Sequence, residues 1–360
     1  MTAVVTAPAD EVGRAPREYL VVRISDAITA RVRVRTLIAC VSMAVGILVV
    51  GMVSISIGDY PIPLPDVVGT LMGHGTSATE FIVETLRLPR ALTAIEVGAA
   101  LGLSGAIFQS LSANPLGSPD IVGFTTGAAT GAVLEILVFH GGTFEIACGA
   151  IVGGLVTALA VYLLAYKRGV QGYRLILVGI GIAAMLTSVN SYLLTRADIT
   201  QAETAQVWLI GSLNGRGWEH VRPISAALVV LVPAALLLSR RMRLLEMGDD
   251  AARALGISAG RTRLALLLVG VMLTAVAVAA AGPIAFVALS APQLARRLTH
   301  EPGVSLLPSA LMGALLLACS DIVAQHALGS MQLPVGVATG AVGGVYLAWL
   351  LVKEWRASRG

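Results

Sequence analysis

Charged residues in this chain fall in short clusters, and the stretches between them are charge-free and largely apolar. Residues 36–58, 97–119, 146–166 and 175–195 hold no Asp, Glu, Lys or Arg over 23, 23, 21 and 21 positions. Each run reaches the roughly 20 residues that a helix needs to cross hydrocarbon. Lipid offers no partners to backbone N–H and C=O groups, so runs of this length predict helices rather than open strands. Two other runs are too long for a single crossing. The 32 residues of 264–295 would make about 48 Å of helix at 1.5 Å per residue, against roughly 30 Å of hydrocarbon. Gly282-Pro283 offers the break, because proline lacks the N–H that would continue a helix. Arg263 and Arg296 flank this run, which predicts two short helices returning to one side, with irregular, protein-buried backbone between them. The 31 residues of 322–352 divide in the same way near Pro334-Val335-Gly336.

The pattern predicts an all-α integral membrane protein with ten spans, near 36–57, 91–111, 121–139, 146–166, 174–195, 223–240, 263–281, 284–298, 305–325 and 335–352. A single transmembrane domain (36–353) is expected between an N-terminal tail (1–35) and a short C-terminal tail (354–360). Ten crossings place both termini on one side, and charge says which. The N-terminal tail, Lys167, Arg168, Arg174, the 240–263 loop, Arg296, Arg297 and the C-terminal tail hold 20 of the 25 basic residues. The other side keeps Arg87, Arg90, Arg196, Arg216 and Arg222. Positive charge collects on the cytoplasmic side, so the termini are expected there. The first 35 residues have no early apolar core, so no cleaved signal peptide is expected and the first span serves as the insertion signal.

Composition narrows the function classes. With 56% hydrophobic and 13% charged residues, the chain departs from soluble domains, which carry roughly 25% charge. Cys40, Cys148 and Cys319 lie inside apolar runs without CxxC spacing and read as small packing residues. The five histidines are scattered, so no metal site is expected. Neither lysine, Lys167 before Arg168 or Lys353 before Glu354, sits in the Gly-x-x-x-x-Gly-Lys-Ser/Thr frame that cradles phosphates. ATP hydrolysis by this chain alone is therefore not expected. Glycines spaced three or four apart (Gly98, Gly102, Gly105; Gly149, Gly153; Gly340, Gly343, Gly344) suit close helix approach. GAIFQSLSANP (105–115) also faintly echoes GPIAFVALSAP (282–292).

Five segments carry a family resemblance: Arg87-Leu88-Pro89-Arg90, Asn114-Pro115-Leu116-Gly117-Ser118-Pro119-Asp120, EMGDDAARALG (246–256), GPIAFVALSAPQLARR (282–297) and LPVG (333–336). Together they resemble the permease subunits of the cobalamin and ferric-siderophore ABC importers, the FecCD/BtuC family. GAIFQSLSANPLGSPDIVGF and RRMRLLEMGDDAARALG stand nearest the ferric-enterobactin branch. The resemblance implies a BtuC-like fold in the cytoplasmic (inner) membrane and import by alternating access. Its implied partners are a second permease, two ATPases that use ATP and Mg, and an extracytoplasmic siderophore-binding protein, with no nucleic acid. Iron would travel inside the siderophore, so the chain itself would hold no cofactor.

The same resemblance assigns roles to residues. Arg87 and Arg90 would dock the binding protein, although arginines at a span end also serve as interfacial anchors. A third arginine of the family falls at Gln325, within Asp321-Ile322-Val323-Ala324-Gln325, so one charged anchor is missing. Asn114 and Leu116 would narrow the cytoplasmic exit, facing Gln171 and Gly172. Glu246, Met247, Gly248, Asp249, Asp250, Ala251, Ala252, Arg253, Ala254, Leu255 and Gly256 would couple to the ATPase. That segment reads as a short helix, with Asp249 and Asp250 at its positive end and Gly256 as its stop. Glu96, a carboxylate within a span, is either functional or a shallow group reaching the interface. Ser188, Asn190 and Ser191 either line a pathway or bond between helices. Rival readings are a cobalamin or haem permease of the same family, an ion-coupled secondary transporter, and a non-transporting scaffold.

Overall fold

The computed structural model describes residues 19–25, 28–166, 172–301, 303–327 and 332–357. Each predicted span is a helix. In chain order these are α1 (Val34–Ser56), α4 (Leu88–Ser112), α5 (Phe124–Leu134, prolonged by a π-helical turn at Glu135–Phe139), α6 (Thr143–Ala165), α7 (Gly172–Arg196), α9 (Trp218–Leu245), α11 (Ala259–Ala281), α12 (Val287–Thr299), α13 (Leu306–His326) and α14 (Val335–Ala357). Between them lie shorter pieces that apolar runs did not announce. These are α2 (Leu64–Leu71), α3 (Ser77–Glu80), a π-helical segment Phe81–Arg87 leading into α4, and α8 (Ile199–Ile210). The small helix α10 (Asp249–Ala254) lies within the expected coupling segment. An antiparallel hairpin, Tyr19–Ser25 with Ile28–Arg33, precedes α1, where the sequence reads as a tail. Among the described residues seven helices are long and apolar enough to span a membrane unaided. Two further apolar helices, Phe124–Phe139 and Val335–Tyr346, are shorter.

Burial sorts the helices. In the most apolar window of the helix containing α4, 78% of residues are buried, against 17% in α7 and in α9. A helix that is apolar all round and enclosed belongs at the centre, and α4 packs chiefly against α13, α11 and α12. At its glycines the α4–α13 contact is backbone on backbone. A Cβ on Gly98 would overlap the Gly313 carbonyl, and one on Gly102 would overlap that of Ser309. Close backbone approach of this kind maximises dispersion contact where lipid provides no hydrophobic drive between helices. A buried polar tie adds to it: Ser104 Oγ lies 2.8 Å from the Gly270 carbonyl and 2.7 Å from Thr274 Oγ1.

The two sequence segments that echo one another interlock. Pro292 lies inside α12, and its missing N–H releases the Ala288 carbonyl from the helix ladder. That carbonyl points at Gly105, where a Cβ would overlap it. Gln109 Nε2 then donates to the Leu289 carbonyl at 2.9 Å, and Gln293 Nε2 donates to the Pro115 carbonyl at 2.8 Å. Buried irregular backbone is thus satisfied from within the protein, as a low-dielectric interior demands. Both predicted helix breaks end on the residues after α8. Ser212 N–H bonds the Ala281 carbonyl at 2.8 Å, and Gly336 N–H bonds that of Gly211 at 3.1 Å.

Candidate functional site

At the end of α4 assigned to the outside, both candidate docking arginines are engaged within the chain. Arg87 donates to the carbonyls of Ile55 (2.7 Å), Ser56 (3.3 Å) and Tyr60 (2.7 Å), capping the end of α1. Cations at a helix C-terminus meet unpaired carbonyls and the negative end of the dipole. Arg90 sends Nε and Nη2 to the carboxylate of Asp321 on α13, with Nη2–Oδ1 at 2.9 Å, and Nη1 to Gln332 Oε1 at 3.1 Å. Gln325 is not idle either, since its Nε2 donates to Asp321 Oδ2 at 2.7 Å. Family likeness singled out Arg90 but not Asp321. The signal that flags Glu96, a carboxylate inside an apolar span, applies equally to Asp321.

The other end of α4 carries the candidate exit. Ala113 turns left-handed (φ 48°), which stops the helix. Asn114 Oδ1 accepts the Leu116 N–H at 2.9 Å, an Asx turn that holds the Asn-Pro-Leu backbone in shape. Leu116 remains 40% exposed. Gly172 opens α7 directly against this point: a Cβ there would stand 2.7 Å from Ser112 Cα. The structure therefore brings Asn114, Leu116 and Gly172 to one end of the molecule, while Gln171 lies outside the described residues. Asp120, which the sequence presents as an ordinary turn residue, closes the re-entrant segment. Its carboxyl accepts from Thr125 Oγ1 at 2.6 Å and from the Phe286 N–H.

The expected coupling segment is helical over a narrower span than its motif. Glu246 and Met247 finish α9, with N–H bonds to Met242 (3.2 Å) and Leu244 (3.3 Å), and α10 occupies Asp249–Ala254 alone. Asp249 and Asp250 fill its first turn, and Gly256 follows its end at φ 79°. Met247, Asp250, Arg253, Ala254, Leu255 and Gly256 are exposed, whereas Ala252 is buried. Arg263 of α11 clasps Asp249 through one hydrogen bond, Nη1 to Oδ2 at 2.9 Å, and an ion-pair contact, Nη2 to Oδ1 at 2.7 Å. Behind α10 a cavity of about 410 Å³ reaches Ser110 and Asn114 on one side and Glu246, Arg263 and Arg296 on the other.

The pathway candidates do not converge. Glu96 Oε1 accepts from Ser225 of α9 at 2.5 Å, while its buried Oε2 has no hydrogen-bond partner among the described residues. Ser188 and Ser191 are exposed and bond back to carbonyls one turn earlier, at 3.0 Å each, as does Thr187 at 2.8 Å. They form a hydroxyl stripe on α7, the least buried of the long helices together with α9. Asn190 faces inward, and its Oδ1 has no hydrogen-bond partner among the described residues.

An enclosed central helix joins two differentiated ends, with a short helix on one exposed face, and comparison with known proteins identifies the arrangement. Residues 46–353 match the FecCD transport family. The ferric enterobactin transport system permease protein FepG of Escherichia coli is 47% identical over 322 residues, covering 89% of this chain and 98% of that protein. The iron(3+)-hydroxamate import system permease protein FhuG of Bacillus subtilis is 36% identical over 316 residues, or 85% and 94% of the two chains. A solved metal-chelate type ABC transporter in an inward-facing conformation superposes with a TM-score of 0.79 at 28% identity, over 87% of this chain and 98% of that one. By sequence, span pattern and fold, the chain is a multi-pass membrane permease belonging to the FecCD transport family.

Proposed function

We propose that this permease forms one half of the membrane pathway of an ATP-driven importer for ferric siderophores of catecholate or related type. The observation that carries the reading is the near end-to-end likeness to a ferric enterobactin permease, 89% of one chain against 98% of the other. A second permease completes the pathway across the exposed faces. A binding protein delivers the chelate at the end marked by Arg87 and Arg90. Two ATPases seat α10 and its exposed neighbours Met247 and Leu255. ATP and Mg act in those ATPases, and iron enters already coordinated by its chelator. Movement of α10 reaches the Asn114–Leu116 turn, so that the inner exit opens only after the outer side has closed.

The test is uptake of radiolabelled iron, offered with a panel of chelators, by cells deprived of their own chelate permeases and supplied with the complete complex. Uptake is expected with a catecholate chelate and is expected to vanish when the ATPase is omitted. Cobalamin or haem uptake without ferric-chelate uptake would replace the cargo. Transport that persists without the ATPase and collapses with the ion gradient would make the chain a secondary transporter.

A further inference from the structure

Among the described residues, two polar side-chain contacts tie the segment around α10 to neighbouring helices. The Asp249–Arg263 clasp joins α10 to the first turn of α11. The other contact comes from Glu246, the residue that ends α9. Its Oε1 accepts the Ser110 hydroxyl of α4 at 2.8 Å. Its Oε2 lies against the 303 backbone, where a Cβ on Gly303 would stand 2.9 Å away. Ser110 lies in the last turn of α4, and its carbonyl accepts the Ala113 N–H at 3.2 Å, at the left-handed stop that leads into Asn114. Between Glu246 and α10 stands Gly248, at φ 100° with open space around it.

We propose that Ser110 and Glu246 form the positioning link that carries displacement of the ATPase-docking segment to the exit turn. The proposal rests on the reading of α10 as the docking helix. The left-handed Gly248 lets α10 tilt, and Glu246, held in the last turn of α9, converts the tilt into a pull on the end of α4. A charge-assisted hydrogen bond suits such a link, because it is directional and stronger than a neutral one. The bond crosses the cavity of about 410 Å³ that both Ser110 and Glu246 line. Ser110 belongs neither to the exposed docking surface nor to the exit turn, and so offers a clean place to cut.

The complete complex with its ATPases and loaded binding protein would be reconstituted in vesicles, and ATP hydrolysed per ferric chelate delivered would be measured for Ser110→Ala, Ser110→Thr, Glu246→Ala and the double alanine variant. Ser110→Ala should raise the ratio about two- to tenfold, the scale of one ordinary solvent-exposed hydrogen bond, with ATPase co-purification unchanged. Ser110→Thr, which keeps the hydroxyl, should restore the wild-type ratio, and the double variant should be no worse than Glu246→Ala alone. An unchanged ratio in Ser110→Ala, or strictly additive effects in the double variant, would overturn the link. Loss of ATPase association in Ser110→Ala would overturn it too, by moving Ser110 into the docking surface. A wild-type complex whose ATPase ignores both permease and binding protein would sink the importer reading instead, which keeps the two failures apart.

Discussion

Arg90 on α4 and Asp321 on α13 form a forked ion pair across 231 positions of sequence, with the carboxylate 1% exposed and the guanidinium 12%. Two parallel N–H donors on one carboxylate fix angle as well as distance. Taking one partner away strands the other charge in a buried site, which costs about 3–5 kcal/mol. Arg90→Gln and Asp321→Asn should each lower the thermal midpoint of the purified permease. The double variant should recover part of the loss. Arg90→Lys should not rescue, because an ammonium cannot span the fork. A midpoint unchanged in both single variants would remove this pair from the stability of the fold.

Docking has to be separated from that structural role, and salt separates them. A contact with an acidic binding protein should weaken steeply in Arg87→Glu at low ionic strength. The difference from wild type should shrink as the Debye length falls below about 10 Å above 0.1 M. The buried Arg90–Asp321 pair should respond little to salt. Binding-protein affinity for the reconstituted complex decides the matter. Wild-type affinity of Arg87→Glu at low salt would leave Arg87 as a cap on α1 only.

On α10, Asp250→Arg and Ala254→Trp alter exposed positions and should abolish ATPase co-purification while leaving membrane insertion intact. Asp249→Ala breaks the Arg263 clasp at a half-exposed pair, worth about 0.2–1 kcal/mol, and should weaken recovery of the ATPase only modestly. Full recovery with both bulky changes would place the ATPase elsewhere.

At the exit, Leu116→Ala should increase ATP turnover without matching uptake, because a narrowed passage becomes leaky. Asn114→Asp preserves the oxygen that accepts the Leu116 N–H and should retain more coupling than Asn114→Ala. Equal ratios of ATP to chelate in all three variants and wild type would reduce the turn to structure.

The spans were legible because hydrocarbon tolerates so little: a charge-free run of 20 residues has few alternatives. The helix breaks were legible from Pro283 and Pro334, which cannot donate. What fills those breaks was not. The segment containing α8 carries Gln201, Glu203 and Gln206, so it falls below any hydropathy threshold even though Ile210 and Gly211 close both gaps. In the site, Asp249, Asp250 and Gly256 announced a capped helix through local chemistry. The partner of Arg90 stayed hidden, because pairing α4 with α13 needs a register that no local pattern supplies. Asp120 was hidden for the opposite reason, since a proline-flanked aspartate is ordinary turn chemistry until burial makes it otherwise.

The glycine contacts between α4 and α13 have a mechanical consequence. Gly98, Gly102 and Gly313 leave main chain on main chain, with no rotamers available to change partners. Sliding one helix past the other would drive carbonyls into Cα atoms, so a shift of either helix along its axis is resisted at these glycines. The seam lies between the Arg90–Asp321 pair at one end of α4 and Ser110 near the other. There, contact between main chains leaves no side chain to absorb a displacement.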